Sequence, residues 1–242
     1  MMNSMKKTFL VSAVALSALL SSGCASNNPN DPLEPYNRAM FSFNDGVDKA
    51  ILRPIASGYK AVTPEFARNS VSNFFNNLAL PWSTLNAGFQ LKPEKFLTGL
   101  FRLGVNTIFG FGGLFDIASE MGLDAPQEDF GQTLGYWGVG TGPYIVWPLL
   151  GSSNLRDSVG SVADMYGYPV TYIDDDGTRY GVTALGVINL RAQLIGADDV
   201  ADSAALDRYI FFRDAYMQRR QNLVYDGNPP MDTSFDIDDD DL

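Results

Sequence analysis

The absence of histidine is the most informative property of this sequence. Without an imidazole the chain has no Ser–His or Cys–His nucleophile and no histidine-based metal site. Its one cysteine, Cys24, excludes an internal disulfide. These two shortages exclude most nucleophilic and metal-dependent hydrolases, and we expect neither a metal nor a cofactor.

Positive charge is also scarce. The chain has 17 lysines and arginines against 28 aspartates and glutamates, which gives a net charge of −11. Charged residues make up 19% of the sequence, below the roughly 25% of average soluble domains. Such a chain offers no electrostatic surface for nucleic acid, and an anionic lipid surface repels it. Any membrane association must therefore be driven by apolar burial and by acyl chains.

The first 23 residues have the three parts of a secretory signal peptide. Lys6 and Lys7 provide the positive start, and residues 9–20 (FLVSAVALSALL) are apolar but too short for a bilayer core that needs about 20 residues. Small residues then lead directly to Cys24. This order is typical of a bacterial lipoprotein signal, so we predict cleavage after residue 23. Cys24 then carries an S-diacylglycerol and an N-acyl chain.

Of the residues near Cys24, one departs from the usual lipoprotein signal and another indicates the destination of the protein. Ser21 stands three residues before it, where leucine is usual, and an ordinary signal peptide with a chance cysteine is the alternative. Ala25, not aspartate, follows it. By the sorting rule of Gram-negative lipoproteins, this indicates the outer membrane. Removing the two signal lysines takes the net charge from −11 to −13.

Proline-marked helix starts organise the rest of the chain. After a polar tether at residues 24–30, the pairs Asp31-Pro32, Thr63-Pro64 and Lys92-Pro93 each predict a helix start, because proline is favoured in a first helical turn. Strand signals are few, so the predicted class is mainly α, with one helical domain over residues 31–228. The acidic tail, residues 229–242, is expected to be disordered.

Prolines and turn residues also predict where helices end. Pro54 and Pro81 should end the first two helices. Asp176-Gly177 is a hairpin signal. We expect further helices over residues 153–166, 180–195 and 203–223.

Two glycine-rich regions interrupt this helical pattern. Residues 96–118 are almost continuously apolar, and glycines at 110, 112 and 113 should end a helix about two-thirds along. A helix that is buried or lies in a membrane interface fits better than one that spans the bilayer. Residues 130–148 (FGQTLGYWGVGTGPYIVWP) are predicted to be extended or looped, with a short hairpin or an extended glycine-rich segment.

Five sequence blocks in this order resemble the VacJ/MlaA lipoprotein family. Together they extend over about residues 31–220, nearly the whole predicted domain, and leave out the acidic tail. The blocks are DPLEPYNRAMFSFN at 31–44, RLGVNTIFGFGGLFDIA at 102–118, FGQTLGYWGVGTGPYIVWPLLGSSNLRD at 130–157, RAQLI at 191–195 and DRYIFFRDAYMQRR at 207–220.

The resemblance implies a helical ring in the inner leaflet of the outer membrane, lipid-anchored on the periplasmic side, with an amphipathic channel through it. The family removes phospholipids misplaced in the outer leaflet and passes them to a periplasmic lipid carrier, beside a trimeric porin. This is transport without bond chemistry, so the chain is not expected to be an enzyme. A scaffolding lipoprotein that moves no lipid is the alternative. A lipid hydrolase is disfavoured by the missing histidine.

Within this framework three polar residues stand out in the apolar region. Arg102 and Asn106 are four residues apart and share one helical face. A buried arginine must reach a carboxylate, water or a passing anion. An ion pair with Asp116 that joins two helices, and a channel site that meets lipid phosphate, both remain open. Arg102, Asn106 and Asp116 are therefore candidate lipid-channel residues.

Gly138, Gly140 and Gly142 are candidates for a flexible segment near the channel. Alternation with Val139 and Thr141 lets the backbone move or approach neighbours closely. A plain hairpin turn is the alternative. A phosphate cradle is disfavoured, because no P-loop Lys-Ser/Thr follows these glycines.

Overall fold

The structure, a computed structural model, describes residues 31–230, with the backbone alone at 199–204. The predictions for the signal peptide, Cys24 and the tether therefore lie outside the described residues. The same holds for residues 231–242 of the predicted tail.

Helices dominate the described chain, as predicted, and surround one small antiparallel sheet. A π-helical turn, Asp48–Leu52, joins the first two helices, and a 3-10 turn, Pro169–Tyr172, precedes α8. The helices are α1 (Glu34–Val47), α2 (Arg53–Val62), α3 (Glu65–Phe89), α4 (Pro93–Ile108), α5 (Ile117–Glu120), α6 (Phe130–Tyr136), α7 (Leu155–Gly167), α8 (Asp176–Ala204) and α9 (Arg208–Val224), and the strands are β1 (Tyr144–Trp147) and β2 (Gly151–Asn154).

Several predicted helix boundaries are confirmed. α3 follows Pro64 directly, and α4 begins at Pro93. α4 ends at Ile108, just before the glycines of the apolar region, and Phe111, Gly112 and Gly113 then adopt left-handed backbone angles that a helix cannot contain.

The predicted breaks at Pro54 and Pro81 are wrong. Pro54 lies in the first turn of α2, where its missing N–H costs no hydrogen bond, and the wider π turn before it keeps the chain helical. Pro81 lies inside the 25-residue helix α3. An internal proline costs about 3 kcal/mol, and the packing of α3 against α4, α6 and α8 offsets that cost.

Two capped helix starts also replace predicted loops. Asp129 accepts a hydrogen bond from the Gln132 N–H at 2.8 Å and starts α6, so the loop before β1 is limited to residues 137–143. Asp175 accepts from the Thr178 N–H at 2.6 Å, so α8 begins where a hairpin turn was predicted.

The packed elements form a closed circuit. α2 packs against α8, α8 against α3, α3 against α6 and α6 against α9. α9 then contacts β2, and β1 contacts α1, which leads back to α2. No helix within residues 31–230 combines the length and the apolar character that crossing a membrane requires.

Two asparagines on α1 fix the hairpin to this circuit. The fully buried Asn37 donates to the Tyr144 carbonyl at 3.0 Å and accepts from the Val146 N–H at 2.8 Å. Asn44, two turns later, holds the Trp147 carbonyl and the Leu149 N–H in the same way. Each amide therefore takes the place of a neighbouring strand along β1.

The interior is polar to an unusual degree. Eight of the ten largest fully buried side chains in the described chain are polar, and Tyr144 and Val146 are the two exceptions. These two and Tyr209 form a small apolar cluster between the hairpin and α9. Hydrogen-bonded networks therefore hold much of the interior, because a buried polar group without a partner is costly.

Candidate functional site

Arg102 is almost fully buried on α4, with 4% of its surface exposed. Its Nη2 lies 2.8 Å from Oδ1 and 3.0 Å from Oδ2 of Asp116, and its Nη1 donates to Ser119 Oγ at 3.1 Å and to the Leu123 carbonyl. The ion pair with Asp116 that the sequence left open is therefore present. It joins α4 to the start of α5.

Asn106 completes what we call the Arg102 cluster, which consists of Arg102, Asn106, Asp116 and Ser119. Asn106 donates to Asp116 Oδ1 at 2.9 Å and accepts from the Ala118 N–H at 2.9 Å. Burial opposes ionisation of Asp116, but hydrogen bonds from Ser119 and Asn106 and the charge of Arg102 outweigh it and lower the pKa of Asp116. The carboxylate is therefore ionised at neutral pH.

The Arg102 cluster borders a cavity of about 900 Å³, which we call the main cavity. Its walls come from α3, α4, the start of α5, α7 and residues 125–129. Its lining mixes apolar side chains with charged ones, and Arg102 and Asp116 are both part of it. Such a mixture suits a ligand that has an apolar part and a charged part.

A second buried charged group, which we call the Arg220 cluster, consists of Arg220, Asp129 and Asp157. Arg220 binds both oxygens of Asp129, at 2.5 and 2.9 Å, and its Nε lies 2.7 Å from Asp157 Oδ2. α9 is thereby tied to the starts of α6 and α7. Sequence reasoning missed this cluster, although Asp157 and Arg220 lie inside the blocks that resemble the family and Asp129 directly precedes one of them.

The Arg220 cluster also changes the pKa of Asp129. Burial alone would raise the pKa of Asp129, but the hydrogen bonds and charge of Arg220 and the Gln132 N–H lower it below its ordinary value. Asp129 lines the main cavity as well as a neighbouring cavity of about 360 Å³, which Arg220 and Asp157 also line.

The candidate glycines lie in the loop between α6 and β1. Gly138 and Gly142 have positive φ angles of 89° and 65°, which side-chain-bearing residues rarely adopt. A Cβ on Gly142 would lie 2.9 Å from Leu155 Cβ, whereas a Cβ on Gly140 would meet nothing within 4 Å. Gly142 is thus required by geometry, and Gly140 lies in open space.

Large apolar side chains cover much of the outside. On α4 the face opposite Arg102 and Asn106 exposes apolar residues, so the usual arrangement of an amphipathic helix is reversed. The exposed apolar side chains of α4 and the following loop are Leu97, Leu100, Phe101, Ile108, Phe109, Phe111, Leu114 and Phe115. An apolar surface of this extent indicates a protein or membrane contact.

Comparison with known proteins identifies the family. Residues 29–223 match the family model described as MlaA lipoprotein. The chain is 38% identical over 226 residues to the intermembrane phospholipid transport system lipoprotein MlaA of Escherichia coli K12, which covers 90% of this chain and 89% of that protein. It is 36% identical over 236 residues to the protein of the same name in Haemophilus influenzae, covering 91% and 92% of the two chains.

A solved structure agrees with this assignment. It was determined in work on the structural basis for maintenance of bacterial outer membrane lipid asymmetry and superposes with a TM-score of 0.71 at 39% identity. The match covers 80% of this chain and 98% of the other. The chain belongs to the MlaA lipoprotein family.

Proposed function

We propose that this chain is an outer-membrane lipoprotein that removes mislocalised phospholipids from the outer leaflet and passes them through an amphipathic channel to a periplasmic carrier. This transfer maintains the lipid asymmetry of the membrane. The names of its relatives and membership of the MlaA lipoprotein family support the proposal.

The main structural support for this proposed function is the reversed polarity of the molecule. Large apolar side chains cover the outside, while the interior and the main cavity are polar or mixed. Burying one such exposed side chain in lipid is worth roughly 1.5–3 kcal/mol, so the outside favours an apolar surrounding. A polar-lined cavity inside an apolar surface gives a phospholipid headgroup a route that avoids hydrocarbon.

The outer-membrane location, the lipid anchor on Cys24 and the contact with a trimeric porin are parts of the same proposal. Ala25 after the acceptor cysteine supports the location. The predicted segments also belong to it: signal peptide 1–23, tether 24–30, domain 31–228 and tail 229–242. Replacing Cys24 with alanine should abolish acylation and leave the precursor unprocessed, which mass spectrometry measures directly.

Arg102, Asn106 and Asp116 remain candidate channel residues, because Arg102 and Asp116 line the main cavity. Their mutual hydrogen bonds also make them a brace between α4 and α5. Gly138, Gly140 and Gly142 remain candidates for a flexible segment. Replacing Gly140 with proline should impair lipid transfer at normal protein abundance, and Gly140→Ala is the matched control, since its Cβ meets nothing.

Lipid analysis tests the proposed function. The full acylated chain, extracted in detergent and purified, should carry phospholipid in stoichiometric amount, and cells lacking the chain should accumulate phospholipid in the outer leaflet. The scaffolding alternative predicts neither result. Wild-type protein without bound phospholipid, together with an unchanged outer leaflet in the deletion strain, would overturn the proposal.

A further inference from the structure

The ionisable side chains that line the main cavity differ in how they are neutralised. The lining includes one cation, Arg102, and the acids Asp116, Glu128, Asp129 and Asp164. Three of these acids have cationic partners within the fold: Asp116 has Arg102, Asp129 has Arg220, and Glu128 has Lys92 and Lys95. Among the described residues, no lysine or arginine forms an ion pair with Asp164.

Two hydrogen bonds hold the Asp164 carboxylate in place. Its Oδ1 accepts from Trp82 Nε1 at 2.7 Å and from the Phe130 N–H at 2.8 Å. No described residue donates to its Oδ2. Burial raises the pKa of Asp164 despite these two donors, so its negative charge lacks full compensation. A cation that entered the cavity would supply it.

The single cation of the lining is already occupied. Both terminal nitrogens of Arg102 donate to partners within the fold, and its Nε is buried without a hydrogen-bond partner among the described residues. The Ser119 hydroxyl donates to Asp116 and the Ser83 hydroxyl to the Pro126 carbonyl. The cavity therefore offers an incoming ligand one anion without an ion-pair partner, whereas the one cation among its described lining residues already forms an ion pair.

Two neutral donors, one on α3 and one directly after α7, also line the main cavity. Tyr168 follows Asp164 by four residues, and its hydroxyl forms no hydrogen bond with a described residue. Asn76 likewise has no described partner, and both residues line the main cavity. Asp164 itself lies between the main cavity and the 360 Å³ cavity and lines both. A carboxylate beside neutral hydroxyl and amide groups suits a headgroup with an ammonium and a phosphate.

We infer that Asp164 is the binding site for the ammonium group of a phospholipid headgroup, so that the cavity prefers phosphatidylethanolamine to anionic phosphatidylglycerol. This inference rests on the proposed function and adds a headgroup preference to it. Tyr168 and Asn76 donate to the phosphate of the same headgroup. A lipid with a glycerol headgroup leaves the Asp164 charge without a counter-ion and places its own net charge beside it.

Competition between the two lipids on the wild-type protein tests the inference. The full acylated protein is exchanged in detergent against equimolar phosphatidylethanolamine and phosphatidylglycerol, and bound lipid is extracted and quantified by mass spectrometry. We expect ethanolamine lipid to be enriched on the order of threefold to tenfold, as for one partly buried ion pair. Bound lipid in a ratio near one would overturn the headgroup preference and leave the transport proposal standing. No bound lipid at all overturns both.

Substitutions locate the preference at Asp164. Asp164→Asn keeps the shape and removes the charge, so the enrichment of ethanolamine lipid over glycerol lipid should fall to near one. Asp164→Glu keeps the charge and should retain most of the enrichment. Asp174→Asn is the matched control, because Asp174 is exposed and does not line the cavity. An unchanged ratio in Asp164→Asn assigns the preference to another group and overturns the inference.

Discussion

The two buried arginine clusters have similar chemistry, but the arginine and its partners are close in the sequence in one cluster and far apart in the other. In the Arg102 cluster the arginine of α4 reaches residues 14, 17 and 21 positions further on, in the neighbouring helix α5 and on either side of it. In the Arg220 cluster it reaches back 91 residues to Asp129 and also binds Asp157. The first cluster therefore shapes one corner of the fold, whereas the second closes the circuit of elements.

This difference predicts that breaking the Arg220 cluster destabilises the fold more than breaking the Arg102 cluster. Breaking the Arg102 cluster loosens α4 from α5, and Asp116 is partly exposed, so water can replace its lost partner. Breaking the Arg220 cluster leaves the partly exposed Asp129 without a cation at the junction of three helices, and leaves the buried Asp157 with Arg156 alone. Removing one member of a buried ion pair is costly because the remaining charge has no compensation.

The largest effect is expected for Arg220→Met. It should lower the free energy of unfolding by about 3–5 kcal/mol, because Asp129 and Asp157 lose their shared cation. Urea unfolding of the purified protein in detergent, followed by tryptophan fluorescence, measures the loss. Arg219→Met is the matched control, since Arg219 is the exposed neighbour and should change stability by less than about 0.5 kcal/mol. Equal losses in both variants would remove the special role of the Arg220 cluster.

Arg102→Met comes next, with an expected loss of about 2–3 kcal/mol from its charged hydrogen bonds. Arg102→Lys keeps the charge without the two-point geometry and should lose less. Protein abundance and surface-exposed phospholipid are measured together in cells. If phospholipid rises at normal abundance, Arg102 serves lipid transfer directly. If abundance falls in step with transfer in both variants, the residue is a structural brace and its channel role is withdrawn.

The same contrast explains what could be predicted from the sequence. The apolar region, its end at glycines and the local pair Arg102–Asp116 depend on near neighbours, so spacing alone indicated them. The Arg220 cluster depends on how distant elements pack, and no local pattern specifies that α9 meets the starts of α6 and α7.

Prolines and caps show the same limit. Pro81 was predicted to end a helix because the local rule ignores the packing of α3 against α4, α6 and α8. Asp129 starts a helix where the glycine content predicted a loop. Asp175 starts a helix where the Asp176-Gly177 pair predicted a hairpin turn. The polarity of the interior was also missed, since composition does not say which side of α4 faces inward.

Two glycine substitutions compare the Arg220 cluster with α4 through smaller changes in the free energy of unfolding. A Cβ on Gly131 would lie 2.6 Å from Asp157 Oδ1 and 2.9 Å from Arg220 Nη2, so Gly131→Ala should destabilise the protein by about 1–3 kcal/mol. On α4, a Cβ on Gly104 would meet nothing within 4 Å. Gly104→Ala should therefore raise stability by up to about 1 kcal/mol through helix propensity. Urea unfolding of both variants decides it, and a stabilised Gly131→Ala would show that the Arg220 cluster is loosely packed.

The smallest effect is the dependence of stability on acid. The pKa values of Asp129 and Asp116 are both lowered in the folded protein. A carboxyl group with a depressed folded pKa contributes stability that is fully present above its unfolded pKa of about 3.9 and is lost as pH falls through the folded value. The wild-type free energy of unfolding should thus hold from pH 7 to about 5 and fall below about pH 4. Asp129→Asn and Asp116→Asn should each flatten that fall, because each removes a carboxyl group whose folded pKa is lowered.

The two clusters share no residue, so their acid effects should add in the double variant. Urea unfolding at pH 7, 5, 4 and 3 measures each slope, with Asp174→Asn as the exposed control. If the double variant flattens the fall no more than either single one, the clusters are coupled through the wall of the main cavity that Asp116 and Asp129 both line. The Arg102 cluster and the Arg220 cluster would then not stabilise the fold independently, and the shared cavity wall would lose stability in acid as one unit.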